Sequence, residues 1–417
     1  MSTSTHRPPT RGQRPTSSRP KSSRPTGRRS TRPVARRPEI EVVRTGPTPE
    51  HLLIGSTAVL CLLGLVMVYS ASSVASVQQN GASWTVVARQ SLFMLLGFLL
   101  AVCAARIPLA VWRDRISAPL LALAVCLQAV LALDIVLGAI GGPDIPLAIT
   151  VNGATRWIGV GPFQGQPSDL AKLALVLWLA RILDMRHRDL GSRELLQPIL
   201  VVTGTLAALV LMGDDLGTTL LLGVIMLAML FLAGAPLRQV GFITAIGATV
   251  SMAAILLLDG FRLQRISAFF NPSDFTATEG YQLLQSQIGF ASGGFWGSGP
   301  GNSRAKWGYL PEADTDFILA VIGEELGLIG SLIVLGAIVV FMFAGIRISL
   351  RARTRFGRLV AIGITTWIGV QALINIGVTV GTLPTKGITL PFVSYGGSSL
   401  MMCMMSVGVL LSVARDS

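Results

Sequence analysis

Apolar runs close to the length that crosses a bilayer follow one another from Leu52 to the C-terminus, separated by short polar or basic breaks. The pattern predicts helices at about 52–70, 86–105, 117–139, 167–183, 197–212, 217–234, 239–259, 315–345, 359–380 and 393–413. The expected fold is therefore an all-α polytopic membrane protein of about ten transmembrane helices. Basic residues orient it. Arg106, Arg113 and Arg115 fall in one break, Arg181, Arg186, Arg188 and Arg193 in another, and Arg347, Arg351, Arg353, Arg355 and Arg358 in a third. All three breaks lie on the side of the N-terminal tail. The positive-inside rule makes that side cytoplasmic and puts both termini there.

The opposite, outer side carries two long segments, about 140–166 and 260–314, the second between helices 7 and 8. It also carries an irregular stretch from Gly381 to Gly397 with two prolines. Short turns would be enough to join helices. Long loops on a rigid scaffold are where chemistry concentrates, so the outer face is the place to search.

Composition agrees with a membrane domain: 51% of residues are apolar and 13% charged. Twelve Lys or Arg against three Glu in the first fifty residues supply nine of the net +13. Residues 1–47, rich in Arg, Ser, Thr and Pro, lack apolar periodicity and are expected to be a disordered basic cytoplasmic tail, leaving 48–417 as the membrane domain. The tail reads either as a topology signal or as an attractor of anionic lipid or a cytoplasmic partner. No aromatic residue interrupts the basic run to stack on bases, so nucleic acid is not an expected partner. Cys61, Cys103, Cys126 and Cys403 each sit in an apolar run and read as small buried hydrophobes, with no zinc or disulfide spacing.

Three outer-side constellations carry candidate chemistry. Tyr309-Leu310-Pro311-Glu312-Ala313-Asp314-Thr315-Asp316-Phe317 places three carboxylates at the start of a span. Glu312 and Asp314 could simply complement a helix dipole. Asp316 runs straight into Phe317-Ile318-Leu319, where an acid is costly and more readily explained by function, such as a general base. Glu324 and Glu325 follow within the span, where acids face a cavity or a basic partner. A second cluster joins Asn152–Ile158 to Gln166–Lys172. Asp169 and Lys172 are spaced to neutralise each other on one helical face, or else Lys172 and Arg156 offer cations to an anionic headgroup. The third, Leu383 to Ser399, combines Lys386 with a helix start at Gly396-Gly397-Ser398-Ser399, whose N–H groups could hold a phosphate.

Val66–Ser72, the Asn152–Lys172 cluster, Gly280-Tyr281-Gln282 with Gln285-Ser286, Gly297–Ser303, Leu310–Gly327 and Pro384–Ser399 resemble, in this order, the blocks of the SEDS (FtsW/RodA) family. The resemblance runs from about residue 52 to the end. It implies a peptidoglycan glycosyltransferase of the bacterial cytoplasmic membrane that polymerises lipid II into glycan strands at the outer face, on an undecaprenyl-linked strand. It also implies a class B penicillin-binding transpeptidase as partner. The acid of the family's Thr-Asp-Phe step corresponds to Asp316. The form Pro384-Thr385-Lys386-Gly387-Ile388-Thr389-Leu390-Pro391 is similar to division-type members, which implies septal location and division-complex partners. Three positions depart from the family pattern: Asp314 stands for a common His, Asp169 for Glu and Asp214 for Pro.

On this reading Asp316 activates the acceptor hydroxyl, with Glu312, Asp314 and Glu325 as supporting acids. Arg156, Lys172, Lys386 and Gly396 to Ser399 stabilise the departing pyrophosphate. Arg262 and Arg265 either hold headgroups at the loop entrance or anchor the loop to lipid phosphate. A divalent cation is a candidate cofactor. The rival readings are a lipid II flippase, an elongation-type glycosyltransferase and a non-catalytic division scaffold.

Overall fold

The computed structural model describes residues 46–151, 153–160, 163–258, 267, 269, 270, 279–384 and 387–417. Its elements all lie in the unit Pro47–Ser417. The helices are α1 (Pro49–Asn80), α2 (Thr85–Arg106), α3 (Leu109–Ala139), α4 (Pro167–Met185), α5 (Arg193–Met212), α6 (Leu216–Ala233), α7 (Leu237–Leu258), α8 (Glu279–Gly293), α9 (Ile318–Arg351), α10 (Arg355–Thr379) and α11 (Gly397–Arg415). Among the described residues eight of these, all but α4, α7 and α8, are long and apolar enough to cross a membrane. The chain is thus a multi-pass membrane protein.

Local chemistry fixes the ends. Pro167 opens α4 and Pro49 opens α1, where a missing N–H costs nothing. The side chains of Ser192, Asp215 and Thr354 cap α5, α6 and α10. Gly81 and Gly234 close α1 and α6 in the left-handed conformation, at φ 74° and 93°. A π turn, Trp112–Ile116, lies near the start of α3.

α2 packs along α11 and α1 along α9, while α10 touches α4, α6, α9 and α11. α4 is buried along most of its length, although Asp169, Lys172, Arg181 and Asp184 make it too charged to register as a simple apolar span. On the basic side Arg113 reaches from α3 to Asp184 of α4 at 3.2 Å. Cys61 and Cys403 are buried as expected. Cys103 and Cys126 are instead exposed on their helices, contrary to the expectation that all four are buried.

Two elements differ from the reading of the sequence. The outer segment 140–166 contains a three-stranded antiparallel sheet, β1 (Ala148–Val151), β2 (Ala154–Val160) and β3 (Phe163–Gly165), which fixes Arg156 on its middle strand. The segment expected as a single loop before the eighth span contains α8. After α8, residues 294–299 dock on α9 where that helix is broken: Gly327 has φ 68° and ψ −161°. Ser298 and Gly299 donate their N–H groups to the carbonyls of Glu324 and Glu325, and Leu328 donates to Gly294 O. The docked loop thus takes up main-chain groups at the break, as irregular backbone among apolar helices requires. A Cβ on Gly327 would collide with Gly297 N and Phe295 O, so only glycine permits this approach.

Candidate functional site

Asp316 lies in a tight turn, two residues before α9 rather than inside it. Glu312 O accepts from Thr315 N and Phe317 N, and Glu312 itself takes φ 56°, a conformation uncommon for a non-glycine residue. The turn is tied at both ends. Tyr395 N donates to Asp314 O at 2.8 Å, and the Asn375 amide donates to Asp316 O at 2.8 Å.

The same Asn375 nitrogen donates to Ile388 O, also at 2.8 Å, and Gln371, one turn earlier on α10, donates to Thr389 O at 3.0 Å. One face of α10 therefore pins the Asp316 turn and the 387–389 segment side by side. Trp367, Gln371, Asn375 and Thr379 form this face at intervals of four: Trp367 donates to Gln371 Oε1, and the Thr379 hydroxyl to Asn375 O.

Arg156 is delivered from β2. Its Nε donates to Gly213 O at 2.8 Å and its Nη2 to Asp214 O at 2.7 Å, with the Asp214 carboxylate 3.5 Å from Nη2. The guanidinium thereby rests on the turn between α5 and α6. Its remaining arm faces Gly387. The position a Cβ would take on Gly387 lies 3.3 Å from Asp316 Oδ2 and 3.9 Å from Arg156 Nη1. A carboxylate and a cation thus flank one bare glycine. Among the described residues three non-glycine positions have positive φ, Asp214, Glu312 and Phe392, and each belongs to a segment that builds this site.

Lys172 takes a different part from the one expected of a headgroup ligand. It pairs with Asp169 at 2.8 Å, both side chains being no more than 6% exposed, donates to Gln371 Oε1 at 3.2 Å and lies 5.4 Å from the Trp367 ring. The helix start at Gly396 to Ser399 is likewise filled by protein. Ser398 donates to Asp169 Oδ2 at 2.8 Å and accepts from Gln166 N, Ser399 shares a bond with Thr389, and Phe93 packs against Gly397. The Asp169 carboxylate thus lies beside this helix terminus, reached through the Ser398 hydroxyl, and complements its dipole.

Of the two surroundings expected for Glu324 and Glu325, a cavity or a basic partner, the second is not found among the described residues. Glu324 accepts from Ser303 Oγ and from the N–H groups of Arg304 and Ala305; Glu325 accepts from Ser70 Oγ at 2.6 Å and from Ser303 N. They latch the outer loop to α9 and α1. Glu325 is therefore remote in role from the Asp316 turn.

Burial pushes the Asp314 carboxyl above the ordinary carboxylate range, and the neighbouring Glu312 adds to the rise against a main-chain hydrogen bond that lowers it. Among the described residues no three His, Cys, Asp or Glu side chains gather as a metal cluster, so these residues offer no protein cage for a divalent cation. Arg262, Arg265 and Lys386 lie outside the described residues.

Sequence reasoning missed Asn375, Gln371 and Asp215. A signal was present: polar residues recur every fourth position along an otherwise apolar span from Trp367 to Thr379.

Residues 50–417 match the FtsW/RodA/SpoVE family, described as cell cycle proteins. A probable peptidoglycan glycosyltransferase FtsW of Coxiella burnetii is 41% identical, covering 87% of this chain and 95% of the relative. Stage V sporulation protein E of Bacillus subtilis is 37% identical over 89% and 98%. Among solved structures, a chain of a peptidoglycan synthase complex that coordinates polymerization and crosslinking superposes with a TM-score of 0.66 at 27% identity, covering 87% of this chain and 97% of that one. The rod shape determining protein RodA of Thermus thermophilus gives 0.60 at 26%, covering 87% and 96%. The chain belongs to the FtsW/RodA/SpoVE family.

Proposed function

We propose that the protein is a peptidoglycan glycosyltransferase that polymerises lipid II at the outer face of the bacterial cytoplasmic membrane, with Asp316 as its general base. The observation that carries this reading is that the Asp316 carboxylate and the Arg156 guanidinium both border Gly387, within 4 Å of the position its Cβ would take.

The ionised Asp316 takes the proton of the acceptor sugar 4-hydroxyl. The freed oxygen attacks the anomeric carbon of the lipid-linked strand, and the carbon–oxygen bond to phosphate breaks with inversion. Undecaprenyl pyrophosphate leaves with the bonding electrons. Arg156 Nη1 meets its growing charge, and a planar guanidinium is suited to that contact. Main-chain carbonyls fix Arg156 and α10 fixes Asp316, so neither group has to be ordered when substrate arrives. Lys172 and Asp169 hold the frame behind them. An apolar groove of about 340 Å³, lined by Phe290, Leu319, Gly323, Leu332, Ile376 and Val380, opens near this site and suits a polyprenyl chain. A class B penicillin-binding transpeptidase as partner, and placement at the division septum, accord with the family relatives.

The test is reconstitution of the purified protein in liposomes carrying lipid II, with its transpeptidase partner present. Glycan strands are expected. Headgroup translocation without strand synthesis would favour a flippase instead.

A further inference from the structure

The turn between α5 and α6 carries two successive aspartates with separate roles. Asp215 is buried, caps α6 through Thr218 N and accepts the Gln166 amide. Asp214 takes φ 62°, which turns its 40% exposed carboxylate toward Arg156 at 3.5 Å. The guanidinium is already positioned by two neutral acceptors, Gly213 O and Asp214 O. What the carboxylate adds is charge.

We propose that Asp214 sets the charge of the phosphate site: its carboxylate competes with the pyrophosphate lipid for Arg156, loosening the hold on the departing product. This rests on the reading of Arg156 as the phosphate ligand. Exposure is what allows the competition. The buried Asp169–Lys172 pair could be opened only by stranding a charge among helices, whereas the Asp214 side chain is 40% exposed, so water offsets the opening of its contact with Arg156. Exposed pairs are weak, so the effect of removing one on ligand affinity is about two- to five-fold. A modest counter-anion suits a turnover cycle in which the leaving group carries more negative charge than the bound ester and must be released before the next addition.

The experiment measures binding and release of undecaprenyl pyrophosphate by the full-length protein in nanodiscs, with undecaprenol as the uncharged control. Asp214→Asn removes the charge while tolerating the left-handed backbone. Asp214→Gly does so with no side chain and keeps the test available if the first variant folds poorly. Both are expected to bind the pyrophosphate lipid about two- to five-fold more tightly through slower release, with undecaprenol unaffected and product inhibition of polymerisation setting in at correspondingly lower concentration. Arg156→Ala should weaken pyrophosphate binding. If it does, yet neither Asp214 variant tightens binding, the role of Asp214 is overturned and that of Arg156 stands. If Arg156→Ala leaves binding unchanged, the phosphate reading of Arg156 fails and this inference fails with it.

Discussion

Replacing Asn375 with alanine removes the single nitrogen that donates, at 2.8 Å each, to the carbonyls of Asp316 and Ile388. Asn375 is 1% exposed, so water does not readily take its place. Leaving a buried carbonyl unsatisfied costs about 1–3 kcal/mol. Because the Asp316 turn is the more exposed of the two partners, a total loss of about 2–4 kcal/mol is expected. The larger consequence is positional. The Asp316 turn and the 387–389 segment lose their common clamp, and displacement of a reacting group by about 1 Å typically costs on the order of a hundred-fold in rate. Lipid II polymerisation followed on gels that resolve strand length, beside a thermal unfolding curve of the same preparation, measures both effects. A folded Asn375→Ala protein polymerising within about three-fold of the wild type would refute α10 as the element that positions Asp316.

Three further outcomes follow from the geometry. Gly387→Val should abolish strand synthesis with little change in unfolding temperature, since added carbons would enter the space between Asp316 Oδ2 and Arg156 Nη1; a fully active variant would place the substrate elsewhere. Lys172→Met should destabilise by about 3–5 kcal/mol by stranding the buried Asp169 charge, and the Lys172→Met/Asp169→Leu double variant should recover part of that loss, as thermal unfolding would reveal. Asp314, with a raised carboxyl in the folded protein, binds its proton more tightly there than in the unfolded chain. Its contribution to stability is therefore greatest below the ordinary aspartate value of about 3.9 and falls as pH rises through the folded value. Asp314→Asn should flatten that decline in unfolding temperature measured across acidic pH, and an unchanged profile would contradict it.

The membrane class was readable from apolar run length alone, and Asp316 stood out because an acid interrupts the start of such a run. The Asp169–Lys172 pair was likewise visible as an i, i+3 spacing, although whether it faced protein or ligand was not. What decides that question is Ser398 and Gln371, over two hundred and almost two hundred residues away in sequence, which complete the pair's partners. The sheet around Arg156 escaped notice because its strands are short and lie between helices whose apolar pattern dominates the segment. Glu324 and Glu325 were expected to face a cavity or a basic partner; main-chain N–H groups of a folded-back loop and the hydroxyls of Ser70 and Ser303 serve them, and no local pattern reports such a loop. The tight approach of Gly297 to Gly327 is a tertiary fact of the same kind.

The central claim is that Asp316 takes the proton in strand synthesis. The most direct measurement is the polymerisation rate of purified Asp316→Asn and Asp316→Ala proteins with the transpeptidase partner and lipid II, with binding of lipid II measured in parallel. The account predicts that both variants bind lipid II and lose at least about a hundred-fold in rate, in line with removal of a general base. Rates within a few-fold of the wild type in either variant would contradict it.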